Sequence, residues 1–69
     1  MQEKVEKLVT NNLGLVRYVA KQFSSSNVDF DDLVSEGTMG LIKAASSFDE
    51  TKNVKFSTYS SFPISLYLP

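Results

Sequence analysis

Apolar residues in this chain fall three and four apart, in two separate stretches, and that spacing commits most of the sequence to helix. In the first, Val5, Leu8, Val9, Leu13, Val16, Val19, Ala20 and Phe23 form one stripe over residues 2–23, as expected of an amphipathic helix with one buried face. Lys4, Lys7, Arg17 and Lys21 fall off the stripe and are expected in solvent. Gly14 lowers helix propensity by roughly 1 kcal/mol relative to alanine, so packing is expected to carry the helix through it. In the second stretch, Phe30, Leu33, Val34, Leu41, Ala44, Ala45 and Phe48 make a similar stripe, and the helix is expected over residues 31–47. Asp29, Asp31 and Asp32 stand at its start, where carboxylates cap free amide groups and suit the helix dipole. Gly37 and Gly40 lie inside this helix. Two interior glycines are costly, so they imply a neighbouring helix close enough to exclude a side chain.

Between the stripes, residues 24–27 have no apolar member and read as a turn. Residues 49–54 are a polar connection. Residues 56–61 begin a partial third helix, with Ser57 expected as its cap. Pro63 then removes an amide donor and clashes with the preceding turn, so residues 62–69 are expected to be extended or irregular. The fold class is therefore all-α: an antiparallel helix pair, a partial third helix and an irregular C-terminal tail.

Size and composition narrow the function. A chain of 69 residues supports one small core of marginal stability. It has no cysteine and no histidine, which removes disulfides, thiolate chemistry, the usual general base and the common transition-metal ligands. The cluster Asp29, Asp31, Asp32 does not fit a calcium loop, whose sixth place needs the glycine that here is Val34. Gly37 and Gly40 are not followed by the Gly-Lys-Ser/Thr of a phosphate loop. An enzyme is not expected, nor a cofactor, and no apolar run is long enough to span a membrane. Seven basic residues against eight acidic ones give a net charge of −1, unlike a free-standing duplex-DNA binder. The charges all lie within residues 1–55, and Phe56 to Pro69 carries none.

Removing the buried stripe from the second helix leaves an outward sector of Asp32, Ser35, Glu36, Met39 and Lys43, flanked by Thr38 and Ile42. An acid beside an exposed methionine and isoleucine is a surface of the kind that receives another helix. On spacing alone, the sector reads more readily as a solvated face with two stray apolar residues.

Three pieces of sequence in register change that balance. Asn12-Leu13-Gly14-Leu15-Val16, then Asp32-Leu33-Val34-Ser35-Glu36-Gly37-Thr38-Met39-Gly40-Leu41-Ile42-Lys43-Ala44, then Phe48-Asp49 followed by Lys55-Phe56-Ser57-Thr58-Tyr59, together resemble conserved region 2 of the bacterial sigma-70 family. The resemblance covers residues 8–60, and the form of the first piece leans toward the family's sporulation and stress branch. It implies a cytoplasmic protein of transcription initiation whose second helix docks on a coiled coil of the RNA polymerase β′ subunit. The implied core-polymerase contacts fall on Asp32, Ser35, Glu36, Thr38, Met39 and Ile42. An anti-sigma protein is a second implied partner for the same surface. The implied promoter contacts are Lys55, Thr58 and Tyr59, where the tyrosine would stack on an unpaired base of the minus-ten element, chemistry worth about 1–3 kcal/mol per base. Packing at the end of the helix pair is the better reading for Phe56; for Tyr59 the two readings stand equal.

After Ser60 the resemblance fails. The family continues with an aromatic and basic helix, whereas Ser61 to Pro69 holds two prolines and no lysine or arginine. A frameshift or truncation is the expectation, with a region 2 unit at residues 1–61, a divergent tail at 62–69, and promoter binding that is weak and confined to the holoenzyme. Readings from other classes are a small helical interaction module outside transcription and a truncated product without a role.

Overall fold

The structure is a computed structural model that describes residues 2–23 and 27–68. Four helices run in chain order: α1 (Glu3–Thr10), α2 (Leu13–Gln22), α3 (Phe30–Ser47) and α4 (Phe56–Leu66). The class is all-α, with no strand among the described residues. Most of the turn expected at 24–27 lies outside those residues.

The single N-terminal helix expected from the first stripe is two. Asn11 and Asn12 interrupt it, because asparagine side chains compete with the helical ladder for backbone groups. Asn12 Nδ2 donates to the Leu8 carbonyl at 2.7 Å, satisfying an acceptor at the end of α1. Gly14 therefore sits in the first turn of α2 and does not need to be held in mid-helix. Two stripe members are exposed: Leu13, just after the break, at 45%, and Phe23, at the end of α2, at 38%. Val5, Val16, Val19 and Ala20 stay buried.

α3 is the central element and packs against the other three helices. Asp29 is its N-cap, and its carboxylate accepts from the Asp31 amide at 2.9 Å. Leu33, Leu41, Ala44 and Ala45 are buried on the face predicted for them, with Phe30 and Val34 packed at the edge of the core. The two glycines have the predicted cause. A β-carbon on Gly37 would lie 2.9 Å from Val16 Cγ1 of α2, and one on Gly40 would lie 2.7 Å from Ile64 Cα of α4.

The C-terminal tail corrects the sequence expectation. Residues 62–66 are helical and Pro63 stands inside α4. Phe56, Ser60, Ile64 and Leu68 recur every four residues; Ser60 and Ile64 are fully buried and Leu68 is 8% exposed. The glycine surface of α3 seats this stripe, with the Pro63 carbonyl and the Ile64 backbone against Gly40, and Ile64 and Leu68 beside Gly37. Proline in a helix interior costs about 3 kcal/mol. Complete burial of one isoleucine and near-complete burial of one leucine recover a similar sum, at about 1.5–3 kcal/mol each. Ser57 is not the cap: Lys55 occupies that position, without a side-chain bond.

Candidate partner-helix interface and promoter-side residues

Packing on α2 and α4 fixes which way α3 presents its remaining residues. With Leu33, Gly37, Gly40, Leu41 and Ala44 turned inward, Asp32, Ser35, Glu36 and Met39 are exposed, and Met39 shows 58% of its surface. Thr38 and Ile42 are half-buried at the flank. The Thr38 hydroxyl is taken up by the Val34 carbonyl at 2.7 Å. The six residues expected to contact polymerase thus lie on one side of one helix. The face carries acid at its N-terminal half (Asp32, Glu36), a thioether in the middle and the Lys43 ammonium beyond it.

Lys55, Thr58 and Tyr59 are gathered at the start of α4, all exposed. Tyr59 is nonetheless anchored. Its ring packs on Phe48 with centroids 5.4 Å apart, and Phe48 meets Phe56 edge-on at 5.1 Å. The Tyr59 hydroxyl lies 2.8 Å from Ser47 Oγ. Either hydroxyl can donate in this pair: Ser47 also reaches the Lys43 carbonyl at 3.1 Å, and Tyr59 the Ser47 carbonyl at 3.4 Å. Phe56 likewise covers the end of the helix pair, as expected.

The loop that follows α3 is tied down on both sides. Asp49 Oδ1 accepts from the Thr51 hydroxyl at 2.7 Å and the Thr51 amide at 2.9 Å. These two bonds hold the carboxyl below its ordinary range, with Lys4 adding a smaller pull in the same direction. Lys4 reaches across from α1 to Glu50 at 2.9 Å. On the far side of the molecule Arg17 stands over the Phe30 ring at 5.8 Å, a cation–π contact between α2 and α3.

Tyr67 is the residue that sequence reasoning missed. It closes α4 and flanks the exposed face of α3, lining one cleft with Met39, Ile42, Lys43 and Ser46. The four-residue recurrence of Phe56, Ser60, Ile64 and Leu68 could have revealed it, since a helix through those positions carries Tyr67 back alongside α3. No described helix is long and apolar enough to cross a membrane.

Comparison with known proteins bears on the same residues. The Sigma-70 region 2 family matches residues 8–62. Over 54 residues the chain is 50% identical to the RNA polymerase sigma-E factor of Clostridium acetobutylicum, covering 78% of this chain and 23% of that protein. It is 47% identical over 57 residues to the RNA polymerase sigma factor SigA of Microcystis aeruginosa, covering 83% and 14%. The SigA of Lactococcus lactis subsp. cremoris is also 47% identical over 57 residues, with 83% and 16% covered. The chain therefore spans less than a quarter of the length of these relatives. The two kinds of sigma factor stand so near each other in identity that likeness alone does not choose a branch.

Proposed function

The chain belongs to the sigma-70 region 2 family, and from that premise we propose that its α3 face binds the core RNA polymerase of bacteria at the β′ coiled coil, as part of transcription initiation in the cytoplasm. One observation carries this reading: Asp32, Ser35, Glu36 and Met39 stand exposed on one side of α3 while its opposite side is locked into α2 and α4. A helix so supported presents side chains with little ordering left to do on binding, which favours affinity. Glu36 pairs with a basic residue of the partner helix, and Met39 and Ile42 supply the apolar contact. The role is one of binding and not of catalysis.

In the same reading Lys55, Thr58 and Tyr59 touch unpaired promoter DNA, weakly and only within the holoenzyme. Two features support the weakness. α4 has no basic residue after its Lys55 cap, and the Tyr59 hydroxyl is already bonded to Ser47. An anti-sigma protein covering the α3 face would use the same contacts.

A pull-down of purified core polymerase at moderate salt tests the assignment. Glu36→Lys reverses an exposed charge without touching the core and is expected to weaken binding by about tenfold or more, because like charges brought together at an interface are strongly unfavourable. Parental affinity in that variant, or no binding by the parent, overturns the proposal.

A further inference from the structure

Asp32, Glu36, Met39, Lys43 and Ser46 are separated by four, three, four and three residues, and each is exposed. This is the 3.5-residue period of a coiled-coil seam; among the described residues no helix covers it, although Gln2 and Val5 stand beside Ile42 and Ser46 at its C-terminal end. In such packing a side chain of one helix enters a hole formed by four residues of the other, at positions i, i+3, i+4 and i+7. Met39, Ile42, Lys43 and Ser46 are in that relation, and together with Tyr67 they line a cleft of about 330 Å³.

The geometry points to this cleft as a knob-accepting hole of the docking face, with Tyr67 as a fifth wall supplied by α4 and an aliphatic side chain of the partner helix as its occupant. The inference rests on the docking face proposed above and extends it one turn along α3 and onto a second helix. Its lining decides the chemistry of the occupant. Met39, Ile42, the Tyr67 ring and the methylenes of Lys43 are apolar, and the Lys43 ammonium is free to reach the rim. The Ser46 hydroxyl already donates to the Ile42 carbonyl at 2.9 Å, so the floor makes no demand for a polar group. The position of the wall is fixed by burial: Ile64 and Leu68 on either side of Tyr67 are held against Gly40 and Gly37. Tyr67 itself remains 41% exposed, enough to meet a partner. Glu36, on the same row one turn toward the N-terminus, places a basic residue of the partner helix next to the knob.

The test is a titration of the full chain against purified bacterial core RNA polymerase. Tyr67→Ala removes the wall and is expected to weaken binding about fivefold to tenfold, while Tyr67→Phe keeps the ring and stays within about twofold of the parent. Ser46→Leu fills the hole from its own side and is expected to weaken binding about tenfold. Tyr18→Ala, on an exposed position of α2, leaves affinity unchanged. Helix content by circular dichroism accompanies each variant; if Tyr67→Ala loses it, Ser46→Leu decides alone, since that site is exposed and its hydroxyl bonds within its own helix. Parental affinity in folded Tyr67→Ala, or in Ser46→Leu, together with weak binding by Glu36→Lys, overturns the cleft and leaves the docking face standing. Parental affinity in all three, or a parent that does not bind, overturns both.

Discussion

Ser60 shows how a single atom can sit against the grain of its helix. It is fully buried, and its hydroxyl has no hydrogen-bond partner among the described residues. Its helix neighbours Ser61 and Ser65 do bond, each to the carbonyl four residues back, at 2.7 and 3.0 Å. A buried hydroxyl left unpaired costs about 1–3 kcal/mol, and alanine is also the better helix former by a few tenths. Ser60→Ala therefore removes the penalty with little change of shape. It is expected to raise stability by about 1–2 kcal/mol, seen as a higher midpoint in thermal or urea unfolding; an unchanged or lowered midpoint shows that the hydroxyl is satisfied in solution. At this scale the sequence was a good guide to the α3 face, because Asp32, Ser35, Glu36 and Met39 follow directly from removing a well-marked apolar stripe. It was a poor guide to Ser60 and Tyr67. A serine does not announce burial, and Tyr67 gains its place only from the docking of a helix that local rules disfavour.

Among the elements, α3 was legible almost to the residue, since its cap, stripe and interior glycines all point the same way. The break between α1 and α2 was not. Apolar residues keep their three- and four-residue spacing across Asn11 and Asn12, so periodicity is blind to an interruption of two residues. α4 was misread for a different reason: the proline rule is local, whereas Gly40 provides a tertiary seat that offsets it. Gly40 and Gly14 make this concrete. A β-carbon at Gly40 meets backbone, with the Pro63 carbonyl carbon at 2.8 Å and Ile64 Cα at 2.7 Å, and backbone cannot step aside without displacing α4. Gly40→Ala gains roughly 1 kcal/mol of helix propensity and incurs overpacking of about 1–3 kcal/mol, so a net loss of stability is expected, with the helical signal of α4 weakened first. Gly14 has nothing within 4 Å of an added β-carbon. Gly14→Ala therefore keeps only the propensity gain and is expected to stabilise by up to about 1 kcal/mol. Unfolding curves for the pair check both signs, and a stabilised Gly40→Ala contradicts the close packing of α4 on α3.

As a whole the molecule separates its charges from its last helix. Its extents of 41 × 23 × 16 Å and radius of gyration of 11.9 Å describe an elongated body, slightly larger than the roughly 11 Å of a compact chain this long. Acids and bases are nearly balanced over residues 1–55 and absent from Phe56 onward. Duplex DNA is held mainly by neutralising phosphates, and each neutralised phosphate contributes about one unit to the salt dependence of binding. This chain has no stripe of basic residues to do so: Arg17 is drawn over Phe30, Lys4 and Lys7 lie within reach of Glu50 and Glu3, and α4 beyond Lys55 offers none. Free of polymerase, the chain is therefore expected to give no mobility shift with a promoter duplex, at low salt as at moderate salt. If instead it binds at low salt and releases steeply as salt rises, several lysines act together as a phosphate-binding surface and α3 is not the only face through which the molecule meets its partners. The absence of a shift, alongside binding to core polymerase, fits a body whose contacts are made through helix packing, with the exposed 3.5-residue row of α3 at the centre.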